Sequence, residues 1–161
     1  KVYGRELGKI HNSDYVLGDT KPSNAIWSEN KVYFTDLEHT KQYGNKAWDI
    51  GEFICFASKF SFNYDTIREI INKFIDGYLE TGDKRDLKKL VNSNILKIFI
   101  PMLTVKTFSI IKNIVEKRVK NYEILYNDIY HMLLYQNVEL ENYLDRILGT
   151  HQIAFFDAFS I

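Results

Sequence analysis

With a single cysteine, Cys55, the chain cannot form an intrachain disulfide, so its 161 residues must be held together by packing. That thiol lies in the apolar run Phe53-Ile54-Cys55-Phe56-Ala57, where no basic neighbour favours a thiolate. This predicts a core residue in a reducing, cytoplasmic setting. Net charge is lacking too. Lys and Arg number 21, as do Asp and Glu, which removes the general electrostatic case for a nucleic-acid partner. Long apolar runs are missing. The most apolar stretch, Ile95 to Val115, carries Lys97, Lys106 and Lys112 and is broken by Pro101, so no membrane association is expected. Nothing resembling a signal peptide follows Lys1-Val2-Tyr3. His11, His39, His131 and His151 lack the paired spacing of a zinc site. There is no internal repeat and no low-complexity tract.

What is present suits a folded domain: 45% hydrophobic and 15% aromatic residues. Leu7 and Ile10 stand at helical spacing within Tyr3–His11, interrupted by Gly4 and Gly8, and Asn12-Ser13-Asp14 reads as a turn. Ala25-Ile26-Trp27 and Lys31 to Thr35 flank Ser28-Glu29-Asn30, predicting a hairpin with a three-residue turn. Leu37 to Asn45 reads as irregular. Beyond it the pattern is helical. Ile50, Phe53, Ile54, Ala57 and Phe60 mark one apolar face, and Ile67, Ile70, Ile71, Phe74, Ile75 and Tyr78 mark the next. Asn63 and Asp65 offer caps for the second of these helices, and Asp86 for a third running to about Phe99. A last helix is expected from Tyr122 to Ile147, stopped by Gly149. The fold class is therefore mainly α with a small β-hairpin.

The chemistry concentrates in Gly18-Asp19-Thr20-Lys21-Pro22-Ser23-Asn24, followed by Val32-Tyr33-Phe34-Thr35-Asp36 at the end of the hairpin. Phosphoryl transfer asks a protein for positioning, cations and a group to receive the acceptor's proton. A carboxylate at Asp19 can orient a hydroxyl, and Lys21, two residues along an extended loop, can return to the same side. Asn24 and Asp36 offer hard oxygen ligands from adjacent strand ends, which suits Mg²⁺ (or Mn²⁺) held largely by nucleotide phosphates. Asp49, within the first turn of an apolar helix, can accept backbone N–H groups from its own helix start or from a nearby loop.

These segments carry a resemblance. Leu17-Gly18-Asp19-Thr20-Lys21-Pro22-Ser23-Asn24 resembles the catalytic loop of the protein-kinase-like superfamily. Tyr33-Phe34-Thr35-Asp36-Leu37-Glu38 resembles its metal-binding aspartate motif, and Ala47-Trp48-Asp49-Ile50-Gly51-Glu52-Phe53 the helix that anchors the loop. The nearest styles are aminoglycoside and choline-type phosphotransferases and small archaeal atypical kinases. The resemblance spans about residues 4 to 60 and implies roles. Asp19 would be the catalytic base, Lys21 a phosphate contact, Asn24 and Asp36 the metal ligands, and Asp49 the support of the loop. ATP would be the co-substrate, and a protein or small-molecule hydroxyl the acceptor. The implied architecture is a carboxy-terminal kinase lobe over 1–161, with the catalytic loop at 15–24, the metal-site hairpin at 25–36 and a helical subdomain at 46–161.

Departures from the family pattern refine this. Leu17 replaces a histidine and Gly18 an arginine, while Glu38 stands where regulated protein kinases have glycine and becomes a candidate extra metal-shell carboxylate. The segment between Asp36 and Asp49 is short and lacks Ala-Pro-Glu, which favours atypical or small-molecule kinases. Lys21 instead favours the serine/threonine type. His39 and Lys41 could meet substrate or simply be solvated. Lys84-Arg85 and Lys88-Lys89 read as a solvated helix face, and the Phe155-Phe156 tail as packing or docking surface. No glycine-rich loop or strand lysine precedes Asp19. The nucleotide-covering lobe is thus expected elsewhere, in a longer protein or a partner chain, and negligible turnover is expected of these residues alone. A non-catalytic kinase-like binding or regulatory module is the reading from a different class.

Overall fold

A computed structural model describes residues 1–59, 61 and 63–121. The chain divides into two compact units, Lys1–Lys120 and Asn121–Ile161, and the described residues fall in the first apart from Asn121. The helix expected from Tyr122 to Ile147, the apolar tail and Phe60 lie outside the described residues.

Helix α1 (Val2–Asn12) leads through a turn to the short strand β1 (Tyr15–Val16). A 3₁₀ turn, Pro22–Asn24, precedes β2 (Ala25–Ser28) and β3 (Lys31–Phe34). A second 3₁₀ turn, Leu37–His39, precedes β4 (Lys41–Gln42). Helices α2 (Lys46–Lys59), α3 (Tyr64–Tyr78), α4 (Lys84–Asn92) and α5 (Ile95–Ile98) follow, then α6 over 105–121.

The hairpin register differs from the expected one. Ser28 pairs with Lys31, so the turn is the two residues Glu29 and Asn30, with φ of 50° and 60°. Left-handed backbone at both positions matches the strand twist, and Asn tolerates it. The segment read as irregular also holds structure, because β4 pairs antiparallel with β1 (Tyr15 with Gln42, Val16 with Lys41). Two-residue strands leave almost no periodic signal, which is why the sequence hid them.

Helix α2 is the centre of the unit. Ala47, Asp49, Ile50, Gly51, Glu52, Phe53, Ile54, Cys55 and Ser58 are all buried, so it is enclosed on most sides rather than amphipathic. Cys55 lies in this core, and burial pushes its thiol up to about 12. Asn63 caps α3 by accepting from Asp65 N at 2.8 Å. Asp83, rather than Asp86, caps α4, accepting from Arg85 N at 2.7 Å. Helix α4 ends at Asn92 rather than near Phe99, where the Ser93 hydroxyl bonds back to Leu90 O at 3.1 Å. No helix among the described residues is long and apolar enough to cross a membrane.

Gly4 and Gly8, read as interruptions, are the packing surface of α1. With Leu7 and His11 they form its buried stripe. A Cβ built on Gly4 would overlap the Phe74 carbonyl, and one on Gly8 would lie 2.5 Å from Thr81 Oγ1 and 2.8 Å from Gly82 N. Backbone therefore meets backbone where α1 crosses α3. Ala at position 4 would gain about 1 kcal/mol of helix propensity. Overpacking commonly costs about 1–3 kcal/mol, and a main-chain obstacle cannot rotate away. Gly4→Ala is expected to be destabilising overall, seen as a lower urea midpoint.

Candidate active site

The loop between β1 and β2 is held by its main chain. Leu17 N donates to Asp49 Oδ2 at 2.7 Å, and Gly18 N to Asp49 Oδ1 at 2.9 Å. Asp49 thus takes the second of its two expected roles and supports the loop. Gly18 has φ +79°, and a Cβ there would stand 2.8 Å from His39 O, so both conformation and space call for glycine. Thr20, beyond Asp19, is pinned at every polar atom. Its N–H donates to Glu52 Oε2 (2.7 Å), its hydroxyl to Asp49 O (2.7 Å), and its carbonyl accepts from Tyr3 Oη (2.7 Å). Asp19 therefore sits between two fixed neighbours.

Lys21 returns to Asp19 as its spacing suggested, with Nζ 2.8 Å from Oδ1 and 2.9 Å from Oδ2. The ammonium therefore meets both carboxylate oxygens, and Oδ1 is buried beneath it. The Asp19 hydrogen bond, with smaller contributions from Glu52 and Asp36, holds the Lys21 ammonium above the usual lysine range.

The hairpin register brings Asn24 and Asp36, the two expected oxygen ligands, together. Ala25 pairs with Phe34, and Thr35 N donates to Asn24 O at 2.9 Å, so Asn24 opposes Thr35 and Asp36 is the next residue. Asn24 also donates from Nδ2 to Asp19 O at 3.3 Å, tying the hairpin to the Asp19 loop. Asp36 is exposed and takes φ 56°, ψ 61°, a conformation that Asp adopts more readily than most residues. Phe34 meets Tyr3 edge-on at 5.0 Å between ring centroids, and Tyr3 meets Phe53 at 4.0 Å with the rings tilted by 31°, which anchors the hairpin to the core.

No cluster of three or more His, Cys, Asp or Glu side chains able to hold a metal occurs among the described residues. One amide oxygen and one carboxylate still fit Mg²⁺, which keeps waters and leans on phosphate oxygens instead of a full protein cage. Glu38 is exposed in its 3₁₀ turn. His39 and Lys41, with Val16, Gly18, Asn45, Trp48 and Asp49, line a cavity of about 330 Å³ that opens beside Gly18. Arg85 of the basic cluster pairs with Asp83.

Sequence reasoning missed His11, Tyr3, Thr20, Glu52, Tyr78 and Asp86 as parts of this assembly. His11 Nε2 lies 3.0 Å from Asp49 Oδ2, and its Nδ1 lies 2.8 Å from Tyr78 Oη. The available signal was position, because His11 and Tyr78 both continue the buried stripes of their helices. Glu52 is 5% exposed, and burial raises its carboxyl above the usual range, partly offset by the Thr20 bonds. A folded-state pKa above the unfolded one binds extra protons in the fold. That contribution is full below about 4.5 and is lost as pH rises through the raised value. Glu52→Gln keeps an acceptor for Thr20 and removes the buried charge. The stability of the variant relative to wild type is expected to grow as pH rises through that window, measured as the difference in urea midpoint.

No family model matches the chain, and no solved structure matches it. Over 88 residues, 52% of this chain, it is 33% identical to a probable serine/threonine-protein kinase BUD32 homolog from Archaeoglobus fulgidus. The match spans 43% of that protein's length. This likeness supports a kinase-like relationship.

Proposed function

We propose that these residues form the catalytic lobe of an ATP- and Mg²⁺-dependent phosphotransferase, of the atypical serine/threonine-kinase type. The observation that carries this is the Asp19–Lys21 pair fixed beside Asn24, with Asp36 brought next to Asn24 by the hairpin register. The Asp19 carboxylate, 14% exposed, is the group that would receive an acceptor hydroxyl's proton. Lys21 would meet the transferring phosphate as a point charge, exchanging part of its contact with Asp19. Asn24 and Asp36 would hold the divalent ion, which supplies charge neutralisation at the nucleotide phosphates. The cover for the nucleotide would come from residues before this stretch or from a second chain. The exposed apolar surface of the hairpin, with Ile26 57% and Trp27 60% exposed, supports such a cover. A small-molecule hydroxyl kinase uses the same groups, and the cavity beside Gly18 would suit either acceptor.

The test is γ-phosphate transfer by the native full-length protein to generic protein acceptors and a panel of small hydroxyl compounds, with Mg²⁺ varied. Asp19→Asn and Asp36→Asn should each abolish transfer. ATP binding that survives with no transfer to any acceptor, in a protein indifferent to both substitutions, would favour a regulatory module instead.

A further inference from the structure

Behind the catalytic loop, Asp49, His11, Tyr78 and Asp86 form a continuous chain of side chains. Asp49 Oδ2 to His11 Nε2 is 3.0 Å, His11 Nδ1 to Tyr78 Oη 2.8 Å, and Tyr78 Oη to Asp86 Oδ2 2.8 Å. Asp49, His11 and Tyr78 are buried, while Asp86 is half-buried in the first turn of α4. The chain thus runs from two loop amides, Leu17 and Gly18, out to the α3–α4 corner.

Tyr78 Oη donates to Asp86 Oδ2. Burial and the Asp86 charge hold that phenol well above its ordinary range, so it keeps the proton. The two ring nitrogens of His11 then bridge Tyr78 Oη and Asp49 Oδ2, and Asp49 also accepts the Leu17 and Gly18 N–H groups.

We infer that Tyr78 and Asp86 are positioning residues for the catalytic loop, acting through His11 on Asp49. The inference deepens the phosphotransferase reading and rests on it for its consequence. The relay itself is readable without activity. A purely structural role would be packing of the Tyr78 ring at the α3–α4 turn, where it also meets Phe74 and Gly82.

The experiment uses the native protein, Tyr78→Phe, Asp86→Ala and Asp86→Asn. Its readouts are the His11 ring ¹⁵N resonances, amide exchange at Leu17 and Gly18, and the kcat against KM split for phosphotransfer. Wild type should show both ring nitrogens hydrogen-bonded. Tyr78→Phe keeps the ring volume but has no oxygen for Nδ1. It should shift the Nδ1 resonance and raise exchange at both amides about tenfold, as expected for one weakened buried hydrogen bond. kcat should fall while KM for ATP holds. Asp86→Ala, at a half-buried position, should act in the same direction. Asp86→Asn, which still accepts from Tyr78, should recover amide protection relative to Asp86→Ala. Unchanged His11 resonances and unchanged exchange at Leu17 and Gly18 in both Tyr78→Phe and Asp86→Ala would overturn the relay. If exchange responds as expected while wild type transfers no phosphate, the relay stands and the phosphotransferase reading falls.

Discussion

Asp49→Ala is expected to cost about 3–5 kcal/mol, the range for removing one partner of a buried charged assembly. Asp49 is completely buried and accepts three hydrogen bonds, from Leu17 N, Gly18 N and His11 Nε2. Alanine would leave two main-chain donors and an imidazole with no acceptor at a site that water does not reach. Since a domain of this size has a total stability of about 5–15 kcal/mol, the loss is a large share. Chemical denaturation of the native protein should show a much lower midpoint, with a smaller drop for Asp49→Asn, which keeps one of the two acceptor oxygens. A midpoint for Asp49→Ala within about 0.5 kcal/mol of wild type, the range of an ordinary surface change, would mean that these bonds do not hold the loop.

Asp19→Asn should have the opposite profile. The Asp19–Lys21 pair is partly solvated, with side chains 14% and 35% exposed. Pairs of that kind contribute about 0–1 kcal/mol, so the stability change should be small. Asparagine keeps the size of the side chain but cannot take a proton from an acceptor hydroxyl. A positioned general base contributes about 10²–10⁴-fold, so phosphotransfer by the native protein should fall by that order. The two substitutions therefore separate support from chemistry. Asp49 is expected to act on the fold and Asp19 on turnover, although Asp49 lies in direct contact with residues on the amino-terminal side of Asp19.

The parts of the site that were legible in the sequence are those whose partners lie close along the chain. Asp19 and Lys21 are two residues apart, and one tight hairpin joins Asn24 to Asp36. Helix α3 was legible for a related reason, since apolar spacing reports a buried face directly, whereas in α2 the polar Asp49, Glu52 and Ser58 are buried beside the apolar face. What stayed hidden depends on distant segments meeting. Thr20 and Glu52 are 32 residues apart, and His11 and Tyr78 are 67 apart. Nothing local marks such a pair, and a buried histidine or tyrosine on an apolar stripe reads as ordinary core. Gly4 and Gly8 were misread because helix propensity counts glycine as a cost. Here the absent side chain is what lets α1 approach α3. The early end of α4 at Asn92 was hidden in the same way, by a serine hydroxyl competing for a main-chain carbonyl.

The most direct measurement is γ-phosphate transfer from ATP by the native full-length protein, wild type and Asp19→Asn side by side, with matched urea midpoints. Mg²⁺-dependent transfer by wild type, reduced about 10²-fold or more in a variant of equal stability, is the predicted result. Equal transfer by the two proteins would remove Asp19 from the chemistry, and with it the assignment of this loop as a phosphotransfer site.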